Sequence, residues 1–388
     1  MILIRSNKLL LLMCMNQPRL DELFNKIEEG KKGENIGLST GLNKLDKIIG
    51  GIQPSRYYVC SAASSVGKTS LMLYIIYNLL KQETEESPIY LIYFSLEIGQ
   101  DVLLAKLLAL YCAEEYGIYL TINDIFSFEK PIGDTAYNCI LQARSWIESM
   151  SKYLIILDKG LNARILYSET MDILEKLGTK TENGYIPNTP NQKIIGIADH
   201  GLLIRPEAGR TQKEEIDLAS SYIVTLKRKF GMSWFMLMQQ NRESSSMDRR
   251  KADLSEPTLN DIKATGSCAE DADCVIQMFF PFREKLVTYR GYRIIGDNAL
   301  KQNHRSIIIS KNRYGVANQV INCGFWGSVG WFSELPDPEQ IKDYSIYQSE
   351  QQNIPCKNRI VIQNINPNKT KIEDQTQKES KKELQYHF

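Results

Sequence analysis

Ser61-Ala62-Ala63-Ser64-Ser65-Val66-Gly67-Lys68-Thr69-Ser70 lies between the apolar run Tyr57 to Cys60 and the helix-like run Leu71 to Leu80. A strand, a loop of small residues and a helix in that order make a cradle for a nucleotide triphosphate. Each residue type has its own reason to be there. Small residues from Ala62 and Ala63 through Ser64, Ser65, Val66 and Gly67 let successive backbone N–H groups point inward at phosphate oxygens. Lys68 reaches the β and γ phosphates, and the Thr69 hydroxyl is placed to hold Mg²⁺. The helix that begins here, with Ser70 in its first turn, aims its positive end at the anion. The first glycine of the usual GxxxxGK[ST] pattern is Ala62 here, so the strand-loop-helix context carries the assignment as much as the pattern does.

Working outward, the 388 residues are 43% hydrophobic, enough for one large α/β core with appendages. The net charge of +1 announces no polyanionic partner globally, although a local basic surface can bind one. Eight cysteines are scattered with no CxxC pair and no histidines at zinc-finger spacing, which suits free thiols in a reducing cytoplasm rather than disulfides or zinc. The stretch Leu9 to Met13 behind Arg5 and Lys8 is too short for a membrane span, so 1–14 reads as a dispensable extension and no membrane association is expected.

Leu20, Leu23, Phe24 and Ile27 fall at i, i+3, i+4 and i+7, which predicts one amphipathic helix within 15–36, closed by Gly30. Its apolar stripe must lie on this chain's core or on a neighbouring copy. From Gly37 to about Gly330 strands and helices alternate, as in a mostly parallel sheet covered by helices on both faces. Strands are expected at Tyr57–Cys60, Ile89–Ser95, Leu154–Leu157, Lys193–Ala198, Trp234–Met238, Cys274–Phe280, Arg305–Ser310 and Ala317–Cys323. Helices are expected at Thr69–Lys81, Gln100–Tyr116, Thr135–Met150, Ile165–Leu177 and Glu214–Phe230. Gly178 to Gln192 and Arg283 to His304 read as inserted loops, the second with a hairpin around Arg290-Gly291. The body is placed at 37–333, and 334–388 turns polar and is expected to lack fixed structure.

Ligands of open parallel sheets sit at the carboxyl ends of the strands, so polar residues just past apolar strands are site candidates. Asp199 is a short carboxylate suited to holding Mg²⁺ beside Thr69. Glu97 can orient and partly deprotonate an attacking water. Gln239 can bond to a γ phosphate and release it.

These features together resemble the ATPase domain of DnaB-type replicative DNA helicases, a RecA-like fold. The segments that carry the resemblance, in order, are Gly37 to Asp46, Gly50 to Ser55, the phosphate loop, Phe94-Ser95-Leu96-Glu97, Asp199, and Gln239 with Asn241-Arg242. Thr265-Gly266-Ser267 with Asp271-Ala272-Asp273, and then Lys311-Asn312-Arg313, complete the series. The resemblance implies ATP and Mg²⁺ at Lys68, Thr69 and Asp199, Glu97 as catalytic base, and Lys311 with Arg313 as a finger pair supplied by the adjacent subunit. It implies a homohexameric ring translocating 5′ to 3′ on single-stranded DNA, with primase and a loader as further partners. The amino-terminal domain that usually helps recruit primase is expected to be absent, leaving only the helix at Leu20 to Ile27, which resembles the linker helix that docks on the next subunit. His200 stands where a tyrosine often follows the acid, and reads as packing or a hydrogen-bonding residue. Lys263-Ala264 replaces a usual Arg-Glu pair.

The polar segment after Gln239, with Arg242, Arg249, Arg250 and Lys251, would put a basic loop on the γ-phosphate sensor. Arg210 and Lys213 would supply a second loop, both following strand phosphates without reading bases. A non-motor ring subunit switched by ATP, such as a loader or regulator, and a RecA-like recombination ATPase are the competing readings. A short form of this kind fits a phage or mobile-element replication protein.

Overall fold

The computed structural model describes residues 20–33, 35–182, 184–241, 255–263 and 267–348. Its helices are α1 (20–31), α2 (Asn43–Ile49), α3 (Lys68–Leu80), α4 (Gln100–Tyr116), α5 (Ile122–Ile125), α6 (Asp134–Met150), α7 (Ala163–Leu177), α8 (Gln212–Phe230) and α9 (Ser267–Asp271). Six strands form the parallel part of the sheet: β1 (Tyr57–Ala62), β2 (Ile89–Ser95), β3 (Leu154–Leu157), β6 (Lys193–Asp199), β7 (Ser233–Gln239) and β8 (Cys274–Phe279). An antiparallel extension follows with β11 (His304–Asn312), β12 (Gln319–Trp326) and β13 (Trp331–Glu334). The order across the sheet is β13-β12-β11-β8-β1-β7-β6-β2-β3. Two hairpins stand apart, β4 (Gly178–Thr181) with β5 (Gly184–Pro187), and β9 (Thr288–Tyr289) with β10 (Tyr292–Arg293).

Because strand side chains alternate between faces, the apolar strands divide two cores. Tyr58, Cys60 and Ala62 of β1, Phe235 and Leu237 of β7 and Leu91 and Tyr93 of β2 pack on one face with α3 and α4. Tyr57 and Val59, Trp234 and Met236, and Ile92 and Phe94 take the other face with α7 and α8. Each such buried side chain contributes roughly 1.5–3 kcal/mol, so the central strands cannot slip in register without inverting both cores. Gly196 of β6 is required by this packing, since a Cβ there would lie 2.1 Å from ring atoms of Trp234.

The expected strands and helices are present, with ends that move by a few residues. β12 begins at Gln319 rather than Ala317 because the turn from β11 extends to Asn318, which has φ 59°. Gly178 to Gln192 is no plain loop. It contains the β4–β5 hairpin, pinned to α7 by the Tyr185 hydroxyl donating to the Leu174 carbonyl at 2.9 Å. The hairpin expected near Arg290-Gly291 is β9–β10. Order also continues past Glu334, contrary to expectation. Leu335, Ile341 and Tyr344 are buried with Phe279, Tyr292, Ile294 and Leu300, so widely spaced apolar residues in a polar stretch found a core that only the β8–β11 excursion provides. α1 is the predicted amphipathic helix, and its Leu20, Leu23, Phe24 and Ile27 are all exposed. No helix among the described residues is long and apolar enough to cross a membrane.

Candidate active site

The phosphate loop joins β1 to α3. Ser65 (φ 61°) and Gly67 (φ 107°) both adopt left-handed backbone, the alternation that turns consecutive N–H groups to one side. No side chain caps α3 at Gly67, so its first-turn N–H groups stay available to an anion, whereas Thr211 caps α8 through a reciprocal bond with Glu214.

Asp199 ends β6, where it lies opposite Leu237 of β7 on one side and Ser95 of β2 on the other, so three strand ends meet beside the loop. One oxygen of its buried carboxylate accepts from the Thr69 hydroxyl at 2.7 Å and from the Tyr93 hydroxyl at 2.8 Å. The other lies 3.7 Å from the Lys68 ammonium and has no hydrogen-bond partner among the described residues. A hydroxyl and a carboxylate with one unsatisfied buried oxygen form the hard, all-oxygen donor set that Mg²⁺ takes, so the residues fit that ion. The sequence carries no signal that marks Tyr93, which there is one more apolar letter of β2. Only the pairing of β2 with β6 brings it to Asp199.

Glu97 follows β2 and is drawn to the same place by the Leu96 N–H donating to the Asp199 carbonyl at 2.8 Å. Its carboxylate is half exposed, and one oxygen lies 3.6 Å from His200 Nε2. Burial, with Lys68 nearby, pushes the His200 imidazole down to about 4, so it is neutral at pH 7 and meets Glu97 as a dipole rather than a cation. Gln239 ends β7 directly opposite Ala62 of β1.

The finger candidates lie elsewhere. β11 runs antiparallel to β8, with Ser306 opposite Phe279 and Asn312 opposite Cys274. Its start is therefore at the phosphate-loop end of the sheet and its finish at the other, roughly 26 Å apart at about 3.3 Å per residue from 305 to 313. There the Arg313 guanidinium donates to Asp273 at 3.1 Å, and the Lys311 ammonium donates to the carbonyls of Ala269 and Glu270 at 2.9 and 2.7 Å. Asp273 is buried and also takes Lys227 at 2.7 Å and the Tyr57 N–H at 2.9 Å.

Of the nucleic-acid candidates, Lys213 is exposed in the first turn of α8. Arg210 is engaged by Glu207 at 3.1 Å and by the fully buried carboxylate of Glu215 at 3.2 Å. Arg242, Arg249, Arg250 and Lys251 lie outside the described residues.

A parallel sheet with a phosphate loop after β1, an acid ending β6 and a glutamate just past β2 defines a RecA-like P-loop domain. The profile of the DnaB-like helicase C terminal domain matches residues 37–119 and 148–334, more than half of the chain, and the protein belongs to the DnaB-like helicase family. Among relatives, it is 25% identical over 330 residues to the replicative DNA helicase DnaB of Pasteurella multocida, covering 84% of this chain and 62% of that protein. It is 24% identical to the replicative DNA helicase DnaC of Bacillus subtilis, over 67% of this chain and 51% of that one. The chain thus spans about three fifths or less of these relatives' length. In fold it is similar to a solved structure described as an ATPase domain, with a TM-score of 0.65 and 19% identity over 83% of this chain and 99% of that one. A DnaB-like replicative helicase described with its primase interactions gives a TM-score of 0.63 and 20% identity, over 81% of this chain and 66% of that one.

Proposed function

We propose that this protein hydrolyses ATP in clefts shared by neighbouring copies of itself, and that a ring of six uses the energy to move along single-stranded DNA and unwind duplex at a fork. One observation carries the reading. Lys311 and Arg313 sit at the end of the sheet opposite their own phosphate loop, too far to reach a nucleotide bound there, and at a surface a neighbouring copy's loop can face. The family, the ordered motifs and the names of the relatives support the rest.

In this reading Lys68 swings from Asp199 to the β and γ phosphates, and the free N–H groups of the loop and α3 take their oxygens. Thr69 and Asp199 hold Mg²⁺, which when bound neutralises charge on those oxygens. Tyr93 keeps the Asp199 carboxylate turned toward Thr69. Glu97, kept near Asp199 by the Leu96 backbone and faced by neutral His200, orients the attacking water and accepts its proton. Gln239 contacts the γ phosphate from the adjacent strand end. A guanidinium delivered in trans by Arg313, with Lys311, meets the charge that spreads over the γ oxygens in the transition state. To do so Arg313 must leave or share Asp273. The exposed stripe of α1 docks on a neighbouring copy and helps close the ring. Lys213 contacts the strand phosphates, Arg210 joins it by leaving Glu207 and Glu215, and Arg242, Arg249, Arg250 and Lys251 add basic charge for the same strand, while primase and a loader are partners of the same cytoplasmic replication role.

The test mixes two inactive proteins. Lys68→Ala removes the pocket lysine and Arg313→Ala removes the finger. Each alone should lose ATP turnover, and the mixture should regain a fraction of it, because some clefts then pair an intact pocket with an intact finger. A mixture as dead as its parts, or full activity from a protein that stays a single copy by mass measurement with nucleotide, overturns the shared cleft. A forked-duplex assay with ATP then separates a motor from an ATP-switched ring subunit.

A further inference from the structure

The phosphate loop is gripped from beneath by an arginine that none of the steps above employs. Arg305 is the second residue of β11, at the loop end of the sheet, and is only 5% exposed. Its Nε donates to the Val66 carbonyl at 2.6 Å, and its Nη1 donates to the carbonyls of Gln302 and His304 at 2.7 and 2.8 Å. The guanidinium carbon lies 3.5 Å from the centre of the Phe280 ring and 4.8 Å from that of Phe325. Phe325 in turn closes on Gly67, where an added Cβ would stand 3.1 Å from the ring. From the solvent side Arg283 donates to the Ser64 carbonyl at 2.6 Å.

Burying a cation is costly unless a counter-charge accompanies it. Arg305 makes no ion pair with a carboxylate among the described residues, and its compensation is three carbonyls and two ring faces. Burial lowers the guanidinium to about 9, which leaves it protonated at neutral pH. Among the described residues, the positive charge directly under the loop therefore has no carboxylate paired with it. The group best placed to balance it is the polyanion the loop receives. The bond to Val66 also holds that carbonyl away from the cradle, which keeps the next N–H groups, at Gly67 and Lys68, free for phosphate.

We infer that Arg305 is a positioning residue of the nucleotide site, bracing the phosphate loop through Val66 and adding an electrostatic contribution to binding that grows with the charge of the polyphosphate. This rests on the ATP reading above. A mere core arginine would act on stability and on all ligands alike, whereas a charge under the loop favours ATP over ADP.

The experiment measures equilibrium binding of ATP and ADP to the full chain and to Arg305→Met and Arg305→Lys, with thermal unfolding recorded beside it. Arg305→Met should weaken ATP roughly tenfold and ADP distinctly less, shrinking the preference for ATP. Arg305→Lys, which retains the charge but not the fork, should keep the wild-type ratio of the two affinities while raising the KM for ATP more than it lowers kcat. Equal weakening of both ligands by Arg305→Met, or no weakening in a folded protein, overturns the inference. If the methionine protein does not fold, a lysine protein with unaltered KM, or with an altered affinity ratio, does so. Lys68→Ala is the control for the underlying reading. Wild-type protein that binds no ATP, or binds it equally well without Lys68, removes the nucleotide site itself rather than the brace.

Discussion

Replacing Asp273 by asparagine should destabilise the protein through Lys227 and hardly at all through Arg313. Both cations contact the same buried carboxylate, at 2.7 and 3.1 Å, but the Lys227 side chain is 8% exposed and that of Arg313 is 44% exposed. Neutralising the acid strands a buried ammonium, a loss of about 3–5 kcal/mol where the partner cannot reach water. A half-exposed guanidinium turns to solvent instead, and its pair is worth about 0.2–1 kcal/mol. Two double-mutant cycles measure the difference by urea unfolding without nucleotide, at concentrations low enough to disfavour assembly. Asp273→Asn with Lys227→Met should show a coupling of about 2–3 kcal/mol, and the double variant should be more stable than Asp273→Asn alone. Asp273→Asn with Arg313→Ala should couple by under about 1 kcal/mol. A larger coupling to Arg313 than to Lys227 would refute the argument from burial. It would also weigh against a finger free to leave for a neighbouring cleft.

Glu97→Gln should keep nucleotide binding while lowering kcat at least a hundredfold, because an amide still fills the site but accepts no proton. Single-turnover hydrolysis checks this, and normal turnover would remove Glu97 from its role. Gly196→Ala forces a methyl group to 2.1 Å from the Trp234 ring between two central strands, and should cost about 1–3 kcal/mol or more in a thermal melt. An unchanged melting temperature would mean that the strands part more easily than their packing suggests. Acid should destabilise the protein through His304, whose burial holds its imidazole at about 3 against an ordinary 6.5. The unfolded chain then binds the extra proton between those values, so stability is complete above pH 6.5 and falls toward pH 3, by up to about 1.4 kcal/mol per pH unit. His304→Gln should flatten that slope in urea titrations across the window, and an unchanged slope would place the acid sensitivity elsewhere.

The phosphate loop, the apolar strands and the residues just past them were legible in the chain because each depends on neighbours in sequence. Small residues before Gly67-Lys68-Thr69 set a local backbone shape, and runs such as Ile89–Ser95 and Lys193–Ala198 need two covered faces wherever they lie. The hairpin at 178–187 was not legible, since Thr, Lys and Gly there carry no alternation and are held by Tyr185 reaching α7. Order beyond Glu334 was hidden for a similar reason, because Ile341 and Tyr344 are isolated apolar residues whose partners come from residues 279–300.

The sequence by itself determined that a strand, a loop of small residues and a helix follow one another here, and that an acid and a glutamate stand at or just past the ends of apolar strands, because short-range backbone geometry and the two-residue period of strands are written locally. Tertiary structure alone decided that Tyr93 holds Asp199, that His200 faces Glu97 and that Arg305 lies beneath Val66 while Arg313 stands at the far end of the same strand. These contacts join residues far apart in the chain. They follow from which strands pair and in which direction, a choice made by the burial of two whole cores at once.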